Sequence, residues 1–231
     1  MKSDLCMERQ LPLTLEHRRL MGREDFLVSP CNLEAVEWID AYPEWHGADG
    51  VAVVGERGSG KTHMSWLFSE KSGAKVYSHA EICGQAFSEI VPVGGALAID
   101  DADRIAGNES AEESLLHIVN YARECMTKLF LTSGTPIAQA GFDLDDLRTR
   151  LTEFPCANIY VPDDGLLRAL LVKQFLERGI ALEDDVIEFA LSRIERNGMA
   201  VRHFVERADE ASAAEKRRIT IPFAKRILES L

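Results

Sequence analysis

The chain has 231 residues, 46% hydrophobic and 28% charged, and its 26 Lys and Arg against 38 Asp and Glu leave a net charge of −12. A chain of this length buries roughly 70–75% of its unfolded surface and folds without a metal, disulfide or partner. The acidic balance disfavours a free-standing nucleic-acid binder, because phosphate contacts need clustered Lys and Arg. In chain order, the first sixteen residues are polar and broken by Pro12, which predicts a mobile tail over 1–16. Four short apolar runs follow, Val51–Val54, Ala74–Tyr77, Ala96–Ile99 and Leu129–Thr132, each bounded by glycine or charge as buried parallel strands are. Helix-length stretches lie between them, notably Ser110 to Met126, and a last strand is predicted over Asn158–Val161. The alternation predicts an α/β unit over 17–162, a parallel sheet covered by helices. After Pro162 apolar residues recur at helical spacing, which predicts a small all-helical unit of about four helices over 163–231.

No apolar run approaches the ~20 residues that span a bilayer. The N-terminus lacks the basic, apolar and small-residue blocks of a signal peptide. Cys6, Cys31, Cys83, Cys125 and Cys156 are widely spaced and never form a CxxC pair, so they read as reduced, buried thiols of a cytoplasmic protein.

The strongest chemical signal is Gly55-Glu-Arg-Gly-Ser-Gly-Lys-Thr62, directly after a predicted strand and before helix-compatible sequence. Successive N–H groups of such a loop curl round a phosphate at a helix N-terminus. Gly55, Arg57, Gly58, Ser59 and Gly60 form the cradle, and the glycines permit backbone that a Cβ obstructs. Lys61 is placed to contact the β- and γ-phosphates and the Thr62 hydroxyl to ligate Mg²⁺. The run Ala96–Ile99 ends in Asp100 and Asp101. Asp100 is the candidate Mg²⁺ partner, and Asp101 a candidate catalytic group that orients an attacking water.

Four further segments follow in order: Phe26-Leu-Val28-Ser-Pro-Cys-Asn32-Leu-Glu-Ala35, Glu113-Ser-Leu-Leu-His117-Ile-Val-Asn120, Asp146-Leu-Arg-Thr-Arg150-Leu151 and Met199-Ala-Val-Arg202. With the two motifs above they resemble the AAA+ module of the DnaA family, and more narrowly its short Hda-type regulators. The resemblance implies an AAA+ P-loop fold with a central parallel sheet and a helical lid. It implies that Val28 and Asn32 border adenine, that Arg202 reaches the nucleotide from the lid, and that Arg150 is a catalytic arginine finger presented to a neighbouring subunit. A finger supplied from a neighbour is worth roughly 10³–10⁵ in rate. His117 and Asn120 serve as family markers only. One departure stands out: Leu131-Thr-Ser-Gly134-Thr-Pro136 has glycine where the family carries a sensor aspartate, and Thr132 or Ser133 is its candidate substitute. The missing carboxylate implies weak or partner-dependent ATPase activity and a site that holds ADP or ATP with Mg²⁺.

In the tail, Gln10-Leu11-Pro-Leu13-Thr-Leu15 resembles the short peptide with which proteins dock on the bacterial DNA polymerase sliding clamp. A disordered segment of this kind buries its leucines in a groove, and Pro12 limits the entropy lost on ordering. The chain stops at Leu231, soon after the expected fourth lid helix, and carries no basic recognition helix, so no direct sequence-specific DNA contact is expected. These readings imply a cytoplasmic regulator of replication initiation. It binds adenine nucleotide and the clamp and stimulates hydrolysis of DnaA-bound ATP, limiting re-initiation; self-association is left open. The alternatives are an autonomous ATPase resembling a DnaC-type helicase loader, against which Gly134 and the acidic surface count, and an adaptor that uses nucleotide only to fold.

Overall fold

The computed structural model describes residues 26–83 and 86–231. Five strands, β1 (Gly50–Gly55), β2 (Lys75–Ser78), β3 (Ala96–Asp100), β4 (Lys128–Ser133) and β5 (Cys156–Ile159), form one sheet in the order β2-β3-β4-β1-β5. Every pairing is parallel. β1 and most of β3 and β4 are buried, while the edge strands β2 and β5 alternate between buried and exposed positions. That pattern explains why aliphatic runs mark the central strands so clearly. The last strand lies two residues earlier than the apolar run Asn158–Val161 suggests. β5 pairs with β1 only from Ala52 to Gly55, where β1 turns away, so Tyr160 and Val161 have no strand to pair with and are exposed.

Successive side chains of the sheet face opposite layers. Val51, Val53, Ala96, Ala98 and Phe130 pack under α1 (Leu33–Asp40) and α2 (Lys61–Ser72). Ala52, Leu97, Ile99, Leu129 and Leu131 pack under the short α3 (Phe87–Ile90), α4 (Glu109–Glu124) and α5 (Asp145–Thr152). On the α2 side, the alanines of β3 leave room for a stack in which the Phe68 ring lies 4.6 Å from Phe130 and 5.5 Å from Trp45. Such pairs add about 0.5–1.5 kcal/mol each beyond the area they bury. Crossovers are right-handed, so α2, which leads toward the β2 edge, and α4 and α5, which lead toward the β5 edge, fall on opposite faces. The crevice where those directions diverge opens at the ends of β1 and β4, the usual place for a ligand in such a sheet.

Four helices follow, α6 (Asp164–Leu176), α7 (Asp184–Leu191), α8 (Gly198–Glu215) and α9 (Ile221–Leu228), and they bury a core of their own around Leu171, Phe175, Phe204 and Ala224. Asp163 and Asn197 accept bonds from Leu166 N and Ala200 N and so cap α6 and α8. Cys31 is buried, but Cys83, in the turn after β2, and Cys156, which opens an edge strand, are exposed. The expectation of uniformly buried thiols fails at these two positions. Among the described residues no helix is long and apolar enough to cross a membrane.

One buried charge ties α4 to the connection that leads into α5. Glu112, on the inner face of α4, is 0% exposed, and its carboxylate accepts bonds from Gly107 N at 2.8 Å, Asp143 N at 3.1 Å and Leu144 N at 2.8 Å. Burial pushes this carboxyl upward, but the three N–H donors outweigh it and hold it below the ordinary value of 4.5. The folded state therefore binds this proton less readily than the unfolded chain. The resulting stability is present above about pH 4.5 and is lost as pH falls through the lowered folded value. Glu112→Gln should be less stable than wild type in urea melts at pH 7, and the gap should narrow as the pH is taken from 5 toward 3.

Candidate functional site

The loop from Gly55 to Thr62 leaves the end of β1 and enters α2. Its backbone needs glycine at two places: Gly58 and Gly60 lie at φ +81° and +104°, where an L side chain is strained. At Gly55 an added Cβ would stand 2.7 Å from Ser59 Oγ and 3.0 Å from the Ile159 side chain, so only glycine lets the loop double back. Gly60 occupies the N-cap of α2 and gives no side-chain cap, which leaves the first-turn N–H groups available to an anion. Ser59 Oγ is buried with no hydrogen-bond partner. An unpaired buried hydroxyl beside uncapped N–H groups fits a phosphate, whose oxygens would satisfy them. Lys61 is 7% exposed, and its ammonium donates to Gly55 O at 2.8 Å and Glu56 O at 3.1 Å, so its charge lies inside the loop. Arg57 is exposed at the loop's outer edge.

The acidic pair sits at the end of β3. Asp100 Oδ2 accepts the Thr62 hydroxyl at 2.7 Å, and Oδ1 accepts Ser65 Oγ at 3.3 Å and the Thr132 hydroxyl. Hydroxyl and carboxylate oxygens this close suit a hard divalent cation. Among the described residues no three His, Cys, Asp or Glu side chains form a metal cluster. Mg²⁺ typically takes one or two carboxylates and completes its shell with water and phosphate, so the donors present fit it. Asp101 adopts a left-handed conformation, φ 54° and ψ 48°, and its N–H donates to Thr132 Oγ1 at 2.9 Å. Thr132 thus bridges both aspartates and is fully buried, whereas Ser133 turns to Thr135 O. Of the two candidate substitutes at the end of β4, the fold brings only Thr132 to the acidic pair. Beyond it, Gly134 N donates to Asp103 Oδ1 at 3.0 Å.

The lid meets this loop directly. Gly198 N donates to Gly58 O at 3.2 Å, and a Cβ on Gly58 would come within 3.1 Å of Asn197 Oδ1 and 3.3 Å of Met199 Cβ. Arg202 is four residues beyond Gly198 and three beyond Met199, on the same helical face, and exposed. In the segment before α1, Val28 is 42% exposed, while Asn32 is buried with its amide spent on Leu27 O and Ser29 N. Asn32 therefore shapes the segment that carries Val28, whose first ring, Phe26, lies 5.1 Å from His63 on α2.

Arg150 is elsewhere. It lies near the end of α5 in a crevice with Asp49, Asn120, Thr127, Leu129 and Phe154, at the starts of β1 and β4. β1 is six residues long, which separates this rim from the phosphate loop by about 16 Å. Arg150 Nε is 3.6 Å from Asp146, and its side chain is 34% exposed; Arg148 is paired with Asp145. His117 is exposed and stacks on Phe87. Gln10, Leu11, Leu13 and Leu15 lie outside the described residues. Ser65, Asp103, Glu112, Asn197 and Gly198 were not read as site residues from sequence. Glu112 alone had a visible signal, a charge in the apolar stripe of Leu115, Val119 and Ala122.

Residues 163–228 match the family described as "Hda, lid domain". The fold matches domain III of the Thermotoga maritima replication initiation protein DnaA with a TM-score of 0.81 at 16% identity, over 91% of this chain and 96% of that one. AMPPCP-bound DnaA from Aquifex aeolicus matches with a TM-score of 0.68 at 20% identity, over 84% of this chain and 68% of that one. A Thermotoga maritima RuvB variant matches with a TM-score of 0.71 at 16% identity, over 92% of this chain and 73% of that one. The helical unit is thus similar to the Hda lid, and the parallel sheet with that unit after it has the fold of DnaA domain III.

Proposed function

We propose that this protein regulates replication initiation. It binds adenine nucleotide at Gly55–Thr62, docks on the DNA polymerase sliding clamp through Gln10–Leu15, and presents Arg150 to ATP held by DnaA, limiting re-initiation. The observation that carries this reading is the separation of Arg150 from the chain's own phosphate loop by the length of the sheet. An arginine there is out of reach of its own nucleotide and open to another molecule's. The reaction is transfer of the γ-phosphoryl group from ATP to water, giving ADP and phosphate. Arg150 would pair with the γ-phosphoryl oxygens and stabilise the charge that spreads over them in the transition state.

At the chain's own site Lys61 and the loop N–H groups would hold phosphates, Arg202 would approach from the lid and Val28 would border the base. Two DnaA structures with this fold carry AMPPCP, which supports an adenine ligand. Thr62 and Asp100 would hold Mg²⁺, whose charge neutralises the phosphates it touches. Asp101 would orient water, but with glycine at 134 β4's end brings it only the Thr132 hydroxyl and no carboxylate, which favours slow turnover here and makes the resident nucleotide a structural element of the regulator.

Lys61→Ala should weaken ADP and ATP binding at least about tenfold in equilibrium titration, the loss of one charge-assisted contact. Arg150→Ala should leave that binding and the thermal midpoint unchanged. It should cut clamp-dependent hydrolysis of DnaA-bound ATP by roughly 10³-fold; full retention would remove the mechanism. Exchanging Gln10 and Leu13 for alanine together should abolish capture by immobilised, DNA-loaded clamp without changing nucleotide affinity, and undiminished capture would remove the tail from the model of docking.

A further inference from the structure

α5 is joined to the rest of the molecule in two ways. Leu147 and Leu151, both fully buried, seat it in the core shared with Leu115, Ile118 and Val119 of α4. Apolar burial of this kind holds the helix down but has no preferred direction. Hydrogen bonds are directional, and the connection from β4 to α5 is held by them at both ends. Gly134, where it begins, donates to Asp103; Asp143 and Leu144, where it delivers α5, donate to Glu112. Asp103 closely follows the acidic pair, and Glu112 stands in the first turn of α4, where its carboxylate also takes Gly107 N from the connection between them. No ion pair among the described residues includes Glu112. Burying a lone carboxylate is costly unless its lone pairs are satisfied. If cohesion were all that was required, an apolar side chain in the stripe of α4 would supply it at lower cost.

We propose that Glu112 is the positioning residue of the Arg150 helix: clamped by the N–H groups of Gly107, Asp143 and Leu144, it sets the rotation and register of α5 against the segment that carries the acidic pair. Arg150 lies six residues beyond Leu144, about 9 Å along the helix. A turn of α5 about its axis therefore carries the guanidinium, at the end of the longer side chain, farther across the crevice than it moves Leu147 and Leu151. Misplacement of a reacting group by about 1 Å costs on the order of 10² in rate. The proposal rests on the reading of Arg150 as a finger and deepens it, assigning to this chain the residue that aims it.

The test uses the full chain with DNA-loaded clamp and ATP-bound DnaA, in four forms: wild type, Glu112→Gln, Arg150→Ala and the double variant. All are assayed at a temperature where urea melts show each one folded. Glu112→Gln should lower the maximal hydrolysis rate at least about tenfold, with the half-saturating concentration of regulator changed less than twofold. The double variant should be no slower than Arg150→Ala alone, because one residue acts through the other. Amide exchange at Asp143 and Leu144 should speed up in Glu112→Gln. A wild-type maximal rate for Glu112→Gln, losses that multiply in the double variant, or unchanged amide exchange would each overturn the assignment. Full activity of Arg150→Ala would overturn the finger reading instead, and the exchange result would still report on Glu112. If Glu112→Gln does not fold, Glu112→Asp, which keeps the charge and shortens its reach, is held to the same criteria.

Discussion

The parallel pairing of β1 with β4 on one side and β5 on the other gathers five strand ends on a single rim. From that rim come the phosphate loop, Asp100 and Thr132, and the lid arrives there when the chain leaves β5 through Tyr160. Helices that return antiparallel to the strands end on the opposite rim, which is where α5 delivers Arg150. The two chemistries proposed for this molecule are thus kept apart by strand length. A sheet with one antiparallel strand in the place of β1 or β4 would have mixed them.

Polar groups in the interior are few and spent on the connections between these parts. Thr132 holds Asp100 and Asp101 together, Glu112 holds the start of α5, and Lys61 lies across the carbonyls of its own loop. Each is a buried donor or acceptor whose partners are mostly main chain, so its role depends on where loops pass. The acidic surface, in contrast, distributes its charge over exposed pairs that contribute little individually.

That difference governs what could be read in advance. The central strands announce themselves because burial on both faces demands unbroken aliphatic runs, and the phosphate loop does so because its glycines and lysine must stand at fixed spacing. The lid helices follow from the recurrence of Leu167 and Leu171, of Val186 and Ala190, and of Val201 and Val205 at helical spacing. The end of β5 was misplaced because hydrophobicity continues to Val161 after the hydrogen-bonding partner has gone. Asp103 and Gly198 were invisible: one acts on a backbone N–H thirty-one residues away, the other through its own N–H. No local pattern encodes contacts of that kind. Asn32 shows the converse, since its place in the segment before α1 was legible while its work, bracing Leu27 and Ser29, was not.

The link from Gly198 N to Gly58 O is made of atoms that every residue except proline supplies at position 198. Side chains around it are free to drift without loosening the joint between cradle and cover, so long as position 58 stays bare. Substitutions on the lid surface can therefore leave this joint intact, and sequence difference in this region is a poor guide to loss of mechanical connection.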